Sequence, residues 1–532
     1  MMHSGVDLLI RGSNVYDGSG DDGFAADVGI TGDRIACIVK APEGYKGRAR
    51  KIIDAKGLSL APGFIDAHAH SEFTLIADHR AEGKVFQGIT TEINGNCGLS
   101  AAPLSGGARE QREHDLHEMG IKERWVTFGE YFCLLEKVHP AINYATLVGH
   151  GNIRASVIGY ADRKPAEGEM REMRLLLRKA ISEGAIGLST GLIYPPGVYS
   201  KTDEIIRLAA DINQRIYATH MRSEGDTLIE SIRETLTIGK ESGIRVHISH
   251  IKTGGQANWG KVDEAISVME QARREGVRLT CDRYPYTAAS TDLDAVLPSW
   301  VYAGGAEEEL RRLKDEKARY SIKGELLSQH PADDYWDCIA ISCLQSESNK
   351  WMEGKTVLTL SKAAGKRPVD FLLDILVEER LRIGAIFYSM NEHNLVRFLS
   401  LPYTMIGSDS SARSMDGPTH KGKPHPRGFG TFPRFLGRYA RDRRQMSIGK
   451  AIYKMTMLPA ETFGLKRRGR ILPDNIADLV IFDDQRLKDM ATFEEPFLKP
   501  TGISYVLVNG SPVVWEGEAT GKTAGKVLRH GE

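Results

Sequence analysis

Between residues 63 and 410 the chain repeats one unit, a short apolar run followed by a stretch with helical periodicity. Eight runs read as strands: GFIDAHAH (63–70), TTEINGN (90–96), YATLVGHG (144–151), IGLSTGL (186–192), IYATHMR (216–222), RVHISHI (245–251), RLTCDRYPY (278–286) and YTMIGSDS (403–410). Between them, stretches such as EMREMRLLLRKAISEG and KVDEAISVMEQARREG carry the apolar spacing of amphipathic helices. Strands that alternate with helices form a parallel sheet. Eight units predict the α/β class and a (β/α)8 TIM barrel, assigned to residues 63–464.

The 532 residues exceed what one ordinary core needs. Both ends change texture. VDLLIRGSNVYDG, ADVGITGDRIACIVK and RKIIDAKGLSLAPG near the start are short and β-like, as are IADLVIFDD and GISYVLVNGSPVVWEGE near the end. Neither end alone buries a core, so residues 1–62 and 465–532 are expected to build one small β-sandwich together. Asn509-Gly510 between apolar runs marks a hairpin. Residues 293–365 break the strand–helix rhythm and read as a helical insertion between the seventh and eighth strands.

Lys+Arg and Asp+Glu are both 70, so no basic field exists to hold nucleic acid or an anionic membrane. No long apolar run suggests a membrane span, and the first residues lack the pattern of a signal peptide. The six cysteines include no CxxC pair, and the expected compartment is the reducing cytoplasm.

Chemistry-bearing side chains gather at the C-terminal strand ends, where barrel enzymes work. His68 and His70 end the first strand, Cys97 follows the second, His150 ends the third, His220 the fifth, His250 the sixth and Asp409 the eighth. Taken singly, each histidine reads as a hydrogen-bonded structural residue, Cys97 as a small buried one and Asp409 as a turn residue or cap. Together they form a set of imidazoles, a thiolate and a carboxylate that suits Zn²⁺. The six other than His150 are too many for one tetrahedral ion and suit two neighbouring ions that share a bridging ligand, a part a thiolate can play. Asp409 can then move a proton from water to a leaving nitrogen.

PGFID followed by His-Ala-His, the fifth- and sixth-strand histidines, the eighth-strand aspartate and the terminal β pieces resemble the amidohydrolase superfamily. TTEINGNCGLSAAPL, STGLIYPPGVYS, ATHMRSEGD, ISHIKTGG, DRYPYTAAST, TMIGSDSSAR and HPRGFGTFPRFLGRYARD resemble, more narrowly, its N-acyl-D-amino-acid deacylases (D-aminoacylases). Most of the superfamily bridges its metals with a carboxylated lysine on the fourth strand. IGLSTGL has no lysine, and Cys97 fills that role. The resemblance implies a tighter zinc at Cys97, His220 and His250. It implies a second, weaker site at His68, His70 and Asp409 that shares Cys97. Lys252, Tyr284 and Arg427 fall where the family holds the substrate's α-carboxylate, and Tyr194 and Ser290 lie near its carbonyl or side-chain pocket.

The implied activity is zinc-dependent hydrolysis of the amide of an N-acyl-D-amino acid, a small-molecule substrate. The sequence does not specify the oligomeric state. A cyclic-amide hydrolase or a dipeptidase acting on a D-residue is the alternative within the superfamily, and a catalytically dead scaffold the alternative outside it. Ser71-Glu72, Gly151-Asn152 and Ser410-Ser411-Ala412-Arg413 depart from the family pattern and bear on substrate preference. Arg413 could meet an acidic substrate side chain or pair with the insertion.

Overall fold

The computed structural model describes residues 5–530. The eight runs become strands Phe64–Asp66, Ile89–Asn94, Asn143–Thr146 continued by Val148–Gly149, Gly187–Gly191, Ile216–His220, Arg245–Ile248, Leu279–Arg283 and Thr404–Ile406. Their ladders are all parallel. Strands one to three form one sheet, and strands three to eight another, in sequential order. The third strand belongs to both, and Leu147 N–H, at its break, donates to the Asn94 carbonyl. The first and eighth strands close the barrel through Ala67 N–H to the Ile406 carbonyl (3.1 Å) and Asp409 N–H to the His68 carbonyl (2.8 Å).

Central strands such as Gly187–Gly191 and Ile216–His220 are buried at every residue, as a barrel covered by helices requires. Inside pack Ile65, Ile93, Ala145, Leu147, Ile186, Ile216, Ala218 and Met405. Outside, helix Glu167–Glu183 buries Met170, Met173, Leu177 and Ala180. Helix Val262–Arg274 buries Val262, Ala265, Met269 and Ala272. Both sets follow the spacing of a helix stripe turned toward a core.

The terminal pieces join in one nine-stranded sheet. Ser59–Pro62 pairs antiparallel with Leu479–Phe482 and so links the two ends of the chain. Ile10, Val28, Ile53, Leu60, Leu479, Ile481 and Leu507 form its separate apolar core. Asn509 and Gly510 both take positive φ, +48° and +76°, in the two-residue hairpin between Ile503–Val508 and Ser511–Trp515. That backbone matches a type I′ turn.

The segment after the seventh strand folds around a core of its own, from Leu293 to Ala385, and so extends past residue 365. Beside its helices it carries an antiparallel sheet of Ala289–Asp292, Gly384–Phe387 and Ile339–Cys343. No helix among the described residues is long and apolar enough to cross a membrane.

Candidate metal centre

Each candidate ligand sits where a strand gives way to a loop. His220 is the last residue of the fifth strand, and His250 lies just beyond the sixth. Cys97, His250 and Asp409 all have positive φ, +53°, +35° and +51°. Such backbone in a non-glycine residue is sparsely populated and persists where the surroundings over-determine it. Two glycines explain how Cys97 is seated. A Cβ on Gly191 would lie 2.1 Å from the Cys97 carbonyl oxygen, and one on Gly98 would lie 2.6 Å from the Gly191 nitrogen. Only glycine lets the Cys97 loop lie this close to the fourth strand.

Two groups of ligand atoms result, each within 4.8 Å throughout: His68, His70, Cys97 and Asp409, and Cys97, His220 and His250. Cys97 belongs to both. Its Sγ lies 3.3 Å from His68 Nε2 and 3.4 Å from His250 Nε2. His68 Nε2 and His70 Nε2 are 3.3 Å apart, and Asp409 Oδ1 lies 3.4 and 3.3 Å from them. Neither ring nitrogen of His220 has a hydrogen-bond partner among the described residues, although the side chain is buried. A buried imidazole whose nitrogens make no hydrogen bond, with Glu224 Oε2 no nearer than 3.7 Å, beside a thiol and a second imidazole fits a metal ligand.

The electrostatics lead to the same reading. Burial opposes ionisation of the Cys97 thiol, but His68 and His250 overcome it and hold it well below its ordinary pKa. Burial likewise opposes charge on Asp409, and Arg427, His250 and His68 keep it well below the usual carboxylate range. Burial pulls His70 down, but Asp409 and Cys97 push it up to about 9. Anionic sulfur and carboxylate thus draw positive charge into the cluster, which protons or a divalent cation can supply.

The outer contacts fix which imidazole nitrogen faces inward. Asp282 Oδ2 lies 3.1 Å from His68 Nδ1 and 2.8 Å from His247 Nε2. Glu224 Oε1 lies 2.8 Å from His250 Nδ1 and also pairs with Lys252. Neither Asp282 nor Glu224 stands out from strand-end patterning. Their signals are a carboxylate within the apolar run RLTCDRYPY and one four residues after His220.

The other candidates lie around this cluster. Arg427 Nη1 lies 2.9 Å from Asp409 Oδ2, and its Nη2 donates to the Ser290 carbonyl at 3.3 Å. The Arg427 guanidinium stands 4.7 Å from the centre of the Tyr284 ring. The Tyr284 hydroxyl is buried with no hydrogen-bond partner among the described residues. Lys252 Nζ lies 2.9 Å from His250 Nδ1. Tyr194 stands edge-on to His220, with ring centres 4.9 Å apart, and its hydroxyl meets Thr291 Oγ1 at 3.1 Å.

His150 does not join. It opens helix His150–Ile158, and its Nε2 turns to Glu204 Oε1 at 2.8 Å, where Arg154 completes a buried ion pair. Arg413 makes no ion pair with the insertion among the described residues, and its Nη1 donates to the Thr419 carbonyl at 3.1 Å.

Known proteins match this geometry over the whole chain. The amidohydrolase family matches residues 51–282 and 409–514. The chain is 37% identical to the D-aminoacylase of Alcaligenes xylosoxydans xylosoxydans, over 98% of this chain and 97% of that protein. It is 34% identical to the N-acyl-D-aspartate deacylase of the same organism, over 99% and 96%. Among solved structures, the N-acyl-D-glutamate deacylase of Bordetella bronchiseptica, complexed with zinc and a phosphonate mimic of the tetrahedral intermediate, superposes with a TM-score of 0.83. It is 32% identical and covers 99% of this chain and all of that one. The chain therefore belongs to the amidohydrolase family and, within it, to the N-acyl-D-amino-acid deacylases.

Proposed function

We propose that this protein is a zinc-dependent hydrolase that cleaves the amide of N-acyl-D-amino acids, releasing a carboxylate and a D-amino acid. The observation that carries the reading is Cys97, whose sulfur belongs to two ligand groups at once, one of them including Asp409. His220, His250 and Cys97 would hold the tighter zinc, and His68, His70 and Asp409 the weaker one. A zinc ion, when bound, supplies Lewis acidity toward the amide carbonyl and lowers the pKa of a water molecule.

Asp409 accepts the proton of the attacking water and returns it to the amide nitrogen. The water oxygen bonds to the carbonyl carbon, the C–N bond breaks, and the nitrogen leaves as an amine. Arg427, Tyr284 and Lys252 hold the α-carboxylate, with the guanidinium as its forked partner. Tyr194 and Ser290 line the carbonyl and side-chain side. The α-carbon is thereby held between the carboxylate anchors and the ligand cluster, an arrangement that selects one hand. All six cysteines are free, which suits a reducing cytoplasm.

A D/L panel of N-acetyl amino acids, assayed before and after chelation and with zinc restored, tests the proposal. The expected result is turnover of D-substrates alone, lost on chelation and recovered with zinc. Turnover of a hydantoin or dihydroorotate, with none of N-acetyl-D-amino acids, would overturn it.

A further inference from the structure

The strands that lead to His68, Cys97 and Asp409 meet on one buried ammonium. Lys84, in the short helix Glu82–Val85, is fully buried. Its Nζ lies 2.8 Å from Asp66 Oδ2 and 2.8 Å from Glu92 Oε1. It also lies 2.9 Å from Ser408 Oγ and 3.0 Å from the Ser410 carbonyl. Asp66 is two residues before His68, Glu92 is on the strand that runs on to Cys97, and Ser408 and Ser410 flank Asp409. Asp66 completes the junction. Its Oδ1 accepts from the backbone N–H of Ser408 at 2.7 Å and of His68 at 3.2 Å. Its Oδ2 accepts from Ser408 Oγ at 2.5 Å.

The junction lies where the barrel ladder is thinnest, because the first and eighth strands belong to different sheets. Asp409 is also in left-handed backbone, which persists where the surrounding structure over-determines it. Stability alone gives little reason to bury such a cluster, since well-packed apolar side chains often serve a fold as well or better. Position is the better reason.

We propose that Lys84 is a positioning residue. By binding Asp66, Glu92 and both neighbours of Asp409, it sets where the Asp409 carboxylate stands relative to His68 and His70. The inference rests on reading that group as the second zinc site.

Lys84→Met leaves Asp66 and Glu92 buried without their cation and can fail to fold. Ser408→Ala keeps the ammonium paired with Asp66 and Glu92 and removes the hydroxyl that links Lys84, Asp66 and Ser410 beside Asp409, so it is the primary variant. The readouts are zinc titration of the apoprotein, kcat and KM. Folded Ser408→Ala is expected to take the first zinc equivalent as the parent does and the second at least ~10-fold more weakly, a split that general loosening would not produce. Its kcat should fall at least ~10-fold while KM stays within ~3-fold. A second-equivalent affinity and kcat both within ~2-fold of the parent would overturn the proposal, as would a parent that takes no second equivalent. A parent inert toward N-acyl-D-amino acids would remove the functional reading alone, because the zinc titration still reads the role of Lys84.

Discussion

Arg427 Nη1 lies 2.9 Å from Asp409 Oδ2, so the residue proposed to recognise the substrate also holds the residue proposed to move the proton. The Arg427 and Asp409 side chains are only 6% and 11% exposed, and removing one partner of such a pair leaves an uncompensated charge. Arg427→Met should therefore affect both constants, raising KM through the lost anchor and lowering kcat through the freed Asp409. A cost of about 3 kcal/mol corresponds to a loss of ~150-fold in kcat/KM. Arg427→Lys keeps the charge but not the fork, and should recover kcat more than KM. Steady-state kinetics on one N-acetyl-D-amino acid decide this. A variant altered in KM alone would separate the two roles.

The shared thiolate predicts unequal losses of metal. Cys97 is in both ligand groups, whereas His70 is in one. Cys97→Ala should lose both zinc equivalents and all measurable turnover. His70→Ala should lose one equivalent and keep the other on Cys97, His220 and His250. Metal analysis after gel filtration distinguishes the outcomes, and a Cys97→Ala protein with a full zinc content would remove the bridge from the account.

Glu224 gives a prediction about the outer contacts. Its carboxylate faces His250 Nδ1 at 2.8 Å and pairs with Lys252. Burial favours its neutral form, but Lys252 and then His220 and His250 hold it well below the usual carboxylate range. Glu224→Gln keeps the shape and removes the charge that orients His250. Partners of this kind typically contribute 10–100-fold in metal affinity. Competition with a chelator should show the first zinc equivalent weakened by that order. Unchanged affinity would make Glu224 a partner of Lys252 only.

Much of the barrel and the metal cluster can be read from the sequence, for a definite reason. A parallel strand buried on both faces is an uninterrupted apolar run, and a polar residue at its end lies at the mouth. His68, His220 and Asp409 stand out this way. The same rule misassigns His150, because a helix begins at that residue and carries its ring away to Glu204. Asp282 meets His68 across 214 residues of sequence, and that contact depends on barrel register, not on local pattern. The insertion's sheet is hidden for another reason. Ala289–Asp292 is half-buried to exposed along its length, so it has neither a continuous apolar run nor clean alternation.

The insertion carries a pH prediction of its own. Burial, reinforced by Asp292, pushes the Asp294 carboxyl up to about 8, and burial, reinforced by Asp294, pushes Glu309 up to about 9. One Glu309 oxygen is buried with no hydrogen-bond partner among the described residues. In the unfolded chain these groups release their protons near pH 4. Between that pH and about 8 to 9 the folded state therefore binds more protons than the unfolded one, and stability falls as pH rises. A fully shifted group contributes a slope of about 1.4 kcal/mol per pH unit. Glu309→Gln fixes the neutral form and should remove part of that slope, so its advantage over the parent should grow from pH 6 to pH 8.5. Paired thermal unfolding curves across that range, at fixed zinc, measure the difference. A constant offset would mean that Glu309 is already ionised in the folded protein.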